Sequence, residues 1–196
     1  MRTGRLEAFS DGVLAVIITI MVLTLGVPTE PTFASIKPLI PRILSYVLSF
    51  VYVGIYWNNH HHMFQVARRI SGAVLWANLH LLFWLSMLPF ATAWMGENHY
   101  APLPSAAYGF VLLMAAIAYA ILQSRIIAVE GSESPLKAAL GSDWKGKISP
   151  ILYLIAIAWS FWMPVLPQAL YLVVALLWLV PDRRLERAVR ASETSG

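Results

Sequence analysis

The acidic residue Asp11 begins an otherwise apolar stretch and is the first candidate for chemistry in this sequence. Residues 12–23 carry a single hydroxyl, that of Thr19, and no charged side chain. An ionised aspartate costs about 2.5–3.5 kcal/mol at the centre of a membrane helix and less near its end. Glu7, one helical turn earlier, has the same sign of charge, and Arg5 does not face Asp11 on a regular helix. The partner of Asp11 is therefore expected on another helix.

Candidate partners occur at two later places in the sequence. Residues 57–62 contain a tryptophan, two asparagines and three consecutive histidines, and a further apolar run contains Asn78. Such polar groups join membrane helices, contact a permeating ion, or form a hinge or gate, and the residue types leave these three roles open. The predicted interhelical network consists of Ser10, Asp11, Trp57, His60 or His61, and Asn78.

The same residues do not form the pattern of a metal site or an enzyme. Neighbouring side chains on a helix point about 100° apart, so His60, His61 and His62 do not bind one ion together. The chain has no cysteine, and it contains no HExxH, hydrolase, kinase or dinucleotide-binding signature. We therefore expect no enzymatic activity, no cofactor and no bound metal.

The composition is that of an integral membrane protein. Of the 196 residues, 59% are hydrophobic and 12% are charged, whereas soluble domains are about 45–50% apolar and about 25% charged. The net charge of +4 is small and dispersed, so a nucleic-acid partner is not expected. The expected surroundings are a lipid bilayer.

The hydropathy pattern predicts an all-α membrane protein with one domain, residues 1–196, and six transmembrane helices. A spanning helix needs roughly 20 mostly apolar residues, and the last two runs are short enough to form one kinked helix instead, which would give five spans. The predicted spans are residues 8–26, 39–59, 71–95, 105–127, 147–163 and 166–181.

The distribution of basic residues favours six spans over five. With six, twelve of the fourteen lysines and arginines lie on one side, and Lys37 and Arg42 are the two on the other. Basic residues accumulate on the cytoplasmic side of membrane proteins. Both termini are therefore predicted to be cytoplasmic, whereas five spans would move four arginines across the membrane.

The first helix carries an aliphatic stripe. At about 100° per residue, Thr19, Ile20 and Leu23 lie within about 60° of Val16, and Asp11 points about 140° away. An aliphatic stripe on a membrane helix faces lipid, packs inside the bundle, or forms a hydrophobic constriction when several copies surround a pore. The spacing does not choose among these possibilities.

Three motifs in the first hundred residues resemble those of the prokaryotic potassium channels of the transmembrane protein 175 family, relatives of an endolysosomal channel. The motifs occur in order on the first three predicted spans. They are Arg5-x-x-x-Phe9-Ser10-Asp11, Trp57-x-Asn59-His60-His61-x-x-Phe64, and Leu75-Trp76-Ala77-Asn78-Leu79 followed by Pro89-Phe90-Ala91-Thr92-Ala93 and Gly96-Glu97.

This resemblance implies a homotetramer in the bacterial inner membrane, in which the first helix of each subunit lines a central pathway for permeant K⁺. Carried onto this chain, the constriction residues are Val16, Ile20 and Leu23, and the hydroxyl that contributes to selectivity belongs to Thr19. Val16 is smaller than the residue that the family pattern would place first. We therefore expect the narrowest ring at Ile20 or Leu23, and we expect Ser10 and Asp11 to hold the helix in register.

Two other functions agree with the sequence. A secondary transporter or proton-coupled carrier would use Asp11 and the histidines as a proton relay. A non-conducting scaffold or enzyme subunit would be stable as a monomer. The passive potassium channel is the hypothesis that the resemblance favours.

Overall fold

The computed structural model describes residues 3–67, 69–131, 134–140 and 143–179. Within these ranges the regular structure is helical, and a short 3₁₀ turn, Lys37–Leu39, joins α2 to α3. The helices are α1 (Thr3–Leu23), α2 (Phe33–Ile36), α3 (Ile40–Val66), α4 (Gly72–Ser86), α5 (Leu88–Glu97), α6 (Pro102–Glu130), α7 (Pro135–Leu140), α8 (Trp144–Trp159) and α9 (Val165–Leu179).

Four helical segments in the described part of the chain are long and apolar enough to cross a membrane. They are α1, the continuous stretch Phe33–Val66, the stretch Gly72–Glu97, and α6, whereas α9 is apolar but shorter. Several residues used in the charge and span predictions lie outside the described ranges: Arg2, Arg68, Val180, Pro181, Arg183, Arg184, Arg187 and Arg190.

The helix boundaries differ from the predicted spans where polar residues continue a helix beyond its apolar part. Helix α1 begins at Thr3 rather than at residue 8, and α3 continues to Val66 rather than stopping at residue 59. Hydropathy detects the apolar part of a helix, but the backbone hydrogen bonds of the helix continue along residues whose side chains are polar. The stretch predicted as one span over 71–95 divides at Met87, because Pro89 has no N–H with which to continue the preceding helix.

The chain turns back on itself between α8 and α9. These two helices pack against each other, and the indole Nε1 of Trp178, near the end of α9, donates a hydrogen bond of 2.9 Å to Oγ of Ser149, near the start of α8. The two helices are therefore antiparallel, and they do not form one continuous kinked helix.

Helix α6 lies at the centre of the bundle. It packs against α4, α5, α8 and α9, and more of its residues are buried than of any other described helix. At Gly109 a Cβ atom would collide with the Tyr171 hydroxyl, which donates to the carbonyl oxygen of Ser105 at 2.9 Å. The missing side chain of Gly109 thus permits the close contact between α6 and α9.

A buried cluster of hydroxyl groups joins α3, α5 and α6 away from α1. Oγ of Ser49 lies 2.7 Å from Oγ1 of Thr92 and 3.0 Å from the hydroxyl of Tyr108. Hydrogen bonds between membrane helices are worth about 0.6 kcal/mol on average. This cluster fixes the central helices independently of the first one.

Candidate functional site

Helix α1 lies at one edge of the bundle and presents two different faces. It packs on α3, α4 and α5. The face that meets them is buried and mostly apolar, and it repeats every three or four residues, as one side of a helix does. Its buried residues are Leu6, Ser10, Leu14, Ile17 and Met21.

The opposite face of α1 is exposed in the single subunit and carries the predicted constriction residues. Val16 is 57% exposed, Ile20 45% and Leu23 76%. Thr19 is also exposed, and its hydroxyl donates to the carbonyl oxygen of Ala15 at 2.9 Å. Because the hydroxyl proton of Thr19 points to the helix backbone, the lone pairs of its oxygen are directed away from the helix. The four residues are thus available at the subunit surface and are not used in its core.

A buried chain of hydrogen bonds joins α1, α4 and α3. Nδ2 of Asn78 donates to Oγ of Ser10 at 2.9 Å, and the Ser10 hydroxyl donates to the carbonyl oxygen of Leu6 at 2.9 Å. Oδ1 of Asn78 lies 2.8 Å from Nε2 of His60. Since the amide nitrogen of Asn78 is the donor to Ser10, its oxygen accepts from His60, and Nε2 of His60 carries the proton.

All three members of this chain are shielded from solvent. Ser10 and Asn78 are fully buried, and His60 is 1% exposed. Nδ1 of His60 has no hydrogen-bond partner among the described residues. A polar group buried in apolar surroundings costs free energy unless it is paired. Asn78 is the central member of the chain, because it pairs with both Ser10 and His60.

Asp11 lies outside this buried chain and contacts α3 separately. Nε1 of Trp57 donates to Oδ1 of Asp11 at 3.1 Å. One helical turn away, Nδ1 of His61 lies 2.5 Å from Oε1 of Glu7. The predicted network is therefore divided in the structure: Ser10, Asn78 and His60 form one group, and Asp11 and Trp57 form another.

Sequence reasoning missed the contact between Glu7 and His61. From the sequence, Glu7 is notable only as a neighbour of Asp11, for which its charge has the wrong sign. The signal was present in the spacing, because Glu7 precedes Asp11 by four residues and His61 follows Trp57 by four residues. On antiparallel helices, residues with the same four-residue spacing come opposite each other. The contact between Asp11 and Trp57 therefore places Glu7 opposite His61 one helical turn away.

The three consecutive histidines have no common partner, although His61 and His62 both contact Gln65. His60 contacts Asn78, His61 contacts Glu7 and Gln65, and Nδ1 of His62 lies 3.4 Å from Oε1 of Gln65. In the part of the chain that the structure describes, no group of three or more His, Cys, Asp or Glu side chains has the arrangement of a metal site.

The two remaining motif residues of α1 do not enter these contacts. Phe9 is 52% exposed, and Arg5 is exposed without an ion pair to any described residue. Both lie on the side of α1 that faces away from its own subunit. The motif thus has an inward part, Ser10, and an outward part, Arg5 and Phe9.

A groove lies beside the exposed stripe, between α1 and α5. Its volume is about 540 Å³, and it is bordered by Ile20 and Thr24 on one side and by Phe90 and Trp94 on the other. Phe90 is 59% exposed. The stripe and the groove form one continuous, largely apolar surface at the edge of the subunit.

Comparison with known proteins identifies close relatives. A family model described as "Endosomal/lysosomal potassium channel TMEM175" matches residues 5–89. A protein of Chryseobacterium sp. (strain P1-3) named a potassium channel is 56% identical over 190 residues, which cover 97% of this chain and 99% of that protein. The human protein named endosomal/lysosomal proton channel TMEM175 is 32% identical over 99 residues, which cover 44% of this chain and 20% of that protein.

A solved structure has the same fold. The crystal structure of a lysosomal potassium-selective channel TMEM175 homolog from Chamaesiphon minutus matches with a TM-score of 0.81 and 30% sequence identity. The match covers 92% of this chain and 97% of the other. The family resemblance that the three motifs indicated is thus confirmed over nearly the whole length of the chain.

Proposed function

Because the chain belongs to the TMEM175 family, whose members are channels and not enzymes, we propose that it is a potassium-selective channel that conducts passively through a homotetramer in the bacterial inner membrane. The observation that carries this proposal is the exposed stripe of α1. A single subunit leaves Val16, Ile20 and Leu23 at its surface. Rotational symmetry gathers one such surface from each copy around a shared axis.

The constriction in this proposal is hydrophobic. Rings of branched aliphatic side chains gate a pore by excluding water when the passage is narrow. Ile20 and Leu23 form the narrowest rings, and the hydroxyl of Thr19 adds an oxygen ligand between the levels of Val16 and Ile20. The buried chain through Asn78 and the contacts of Asp11 and Glu7 hold each α1 at a fixed rotation relative to its own subunit, so that the stripe faces the axis.

The proposed subunit has six transmembrane helices and cytoplasmic termini. In this proposal the fifth and sixth crossings are the antiparallel helices α8 and α9, which add to the four segments that are long and apolar enough to span a membrane. The distribution of the described basic residues supports this orientation. Arg125, Lys145 and Lys147 lie at one end of the bundle, and Lys37 and Arg42 lie at the other.

The oligomeric state and the ion flux test this function together. Purified protein in mild detergent is expected to have the mass of four subunits. In liposomes it is expected to pass K⁺ faster than Na⁺ down a gradient, without a requirement for proton exchange. A stable monomer would contradict the pore at a symmetry axis, and saturable flux coupled to protons would favour a carrier in which Asp11 and the histidines relay protons.

A proton channel is the second candidate, because the human relative is named one. The half-buried pair Glu7 and His61 is the feature of this chain that favours it, since a carboxyl in contact with an imidazole is the kind of pair that relays protons, and both side chains remain partly accessible. The liposome measurement separates the two candidates. A proton current that exceeds the potassium current at neutral pH would replace the potassium channel by a proton channel.

The hydroxyl of Thr19 is expected to contribute to ion selectivity. Replacing Thr19 with valine keeps the shape of the side chain and removes the oxygen, so the ratio of K⁺ to Na⁺ flux is expected to fall several-fold. Thr24→Val is the matched control, because the Thr24 hydroxyl donates to the carbonyl of Met21 and is only partly exposed. An unchanged flux ratio in Thr19→Val liposomes would remove Thr19 from the selectivity mechanism.

A further inference from the structure

A small, partly enclosed chamber lies inside the subunit, away from α1. Helices α3, α6, α8 and α9 surround it at the end of the bundle where α3 and α6 finish and α8 begins. Its volume is about 50 Å³, which is enough for a few water molecules or one small polar group. The channel function proposed above does not use this chamber.

The walls of the chamber are largely aromatic. The rings of Tyr56 and Tyr119 meet edge to face with centroids 6.0 Å apart, and those of Tyr52 and Tyr153 are 6.4 Å apart. Trp178 closes one side and is fixed by its hydrogen bond to Ser149. The faces of tyrosine and tryptophan rings carry negative electrostatic potential. These walls therefore favour a cation over an anion.

Two buried amide side chains line the chamber. Asn59 is 8% exposed and Gln123 is 7% exposed, and both line the cavity. Nδ2 of Asn59 donates to the carbonyl of Ile55 at 2.8 Å, and the side chain of Gln123 interacts with the hydroxyl of Tyr119. Amide oxygens accept hydrogen bonds and attract positive charge, so both side chains suit an occupant that donates hydrogen bonds or carries positive charge.

Asp143 adds a negative charge at the edge of the chamber. Its backbone is left-handed, with a φ of 33°, and Oδ1 accepts a hydrogen bond of 3.1 Å from the backbone N–H of Gly146. A Cβ atom on Gly146 would collide with this carboxylate, so the glycine makes room for it. Asp143 forms no ion pair with a described residue, and the described residues that line the chamber include no basic side chain.

The chain itself places a cation against one of the chamber walls. Nζ of Lys145 lies 5.9 Å from the centroid of the Trp178 ring, within the distance at which an ammonium group is attracted to an aromatic face. Lys145 is not among the residues that line the interior. The ring of Trp178, which lines the chamber, is thus already in contact with one ammonium group of the chain itself.

From the aromatic walls, the two amide oxygens and the carboxylate, we propose that this chamber is a binding site for a small organic ammonium group. Aromatic side chains with a nearby acid are the usual means by which proteins bind such cations. The ammonium group is either that of a free amine or that of a lipid headgroup, since the chamber opens near the end of the bundle. This inference stands independently of ion conduction.

Thermal unfolding of the full-length protein in an uncharged maltoside detergent tests the site. Methylammonium and tetramethylammonium chloride are compared with potassium and sodium chloride at equal ionic strength. We expect methylammonium to raise the unfolding temperature in a saturable manner, because a ligand that binds only the folded state stabilises it. Absence of a saturable rise, or an equal rise with potassium chloride, would overturn the proposal and leave the chamber to water or to an inorganic cation.

Three variants locate the binding in the chamber. Asp143→Asn keeps a side chain that caps a helix and accepts a left-handed backbone but removes the charge, so the dissociation constant for methylammonium is expected to rise about tenfold. Tyr119→Leu removes a ring and is expected to weaken binding, whereas Tyr119→Phe keeps the ring and is expected to retain it. Wild-type affinity in Asp143→Asn and in Tyr119→Leu would contradict the site.

Changing the lipid distinguishes the two sources of the ammonium group, a free amine and a lipid headgroup. Protein in nanodiscs of phosphatidylethanolamine is compared with protein in nanodiscs of phosphatidylglycerol, each with and without methylammonium. A headgroup occupant predicts that methylammonium stabilises only the phosphatidylglycerol sample, and a free amine predicts equal stabilisation in both. Stabilisation in neither sample would contradict an ammonium site.

Discussion

Replacing Ile20 and Leu23 together with alanine is expected to raise potassium flux through the reconstituted protein by about tenfold or more. If these side chains form the hydrophobic rings of the pore, shortening them widens the passage and lowers the barrier that excludes water and ions. A barrier reduction of about 1.4 kcal/mol corresponds to a tenfold rate. The measurement is the initial rate of K⁺ flux in liposomes at a fixed number of proteins per vesicle, with the Na⁺ rate measured in parallel.

The matched control for this variant is the pair Ile151→Ala and Leu172→Ala. Ile151 lies on α8 and Leu172 lies on α9, and they are 56% and 51% exposed, close to the exposure of Ile20. Both variants lose the same side-chain atoms from an exposed helix face. If the control pair and the α1 pair change the flux equally, or if the α1 pair leaves it unchanged, the stripe faces lipid and the proposed gate is wrong.

Replacing Asn78 with alanine is expected to lower the free energy of unfolding by about 1–3 kcal/mol, the usual cost of leaving a buried polar group unpaired. The substitution removes the donor to Ser10 and the acceptor of His60 at once. In a double-mutant cycle with Ser10→Ala, the coupling energy is expected to be about 0.6 kcal/mol and at most about 1.7 kcal/mol. Reversible unfolding in detergent measures both quantities.

The variant Thr92→Val is the control that distinguishes an effect of lower stability on K⁺ flux from an effect of displacing α1. It removes the hydrogen bond between Thr92 and Ser49, which is also buried but does not involve α1. We expect Asn78→Ala and Thr92→Val each to lower the free energy of unfolding. We expect Asn78→Ala alone to change the K⁺ flux, measured at a temperature where both variants remain folded. A coupling energy of zero between Ser10 and Asn78 would show that their hydrogen bond does not contribute to holding α1.

Much of this architecture follows from local properties of the sequence. Long apolar runs predict α1, α3 and α6, because a bilayer-spanning helix needs a continuous apolar stretch. The break at Met87 also has a local cause, Pro89, although the hydropathy pattern alone does not show it. The helix ends at Thr3 and Val66 were not predicted, since charged and polar side chains neither mark nor prevent the continuation of a helix in water.

The contacts between helices were predictable only in part. Asp11 needed a partner on physical grounds, and the residues able to supply one were few, which is why Trp57 and Asn78 were among the predicted network. Which residue pairs with which depends on helix rotation and depth, and these are set by packing over the whole bundle. The pair Tyr52 and Tyr153, about a hundred positions apart in the sequence, has no local signal, and the aromatic chamber was therefore not predicted.

The two faces of α1 impose a strict length on the segment between Ser10 and Val16. Ser10 is locked to the subunit's own interior, whereas Val16 begins the surface proposed to meet the other copies. One residue added to or removed from the intervening turn would rotate everything beyond it by about 100° and direct the proposed gate into the subunit or the lipid. Insertions and deletions in this turn are thus expected to be excluded even at positions where the side chain itself can be exchanged.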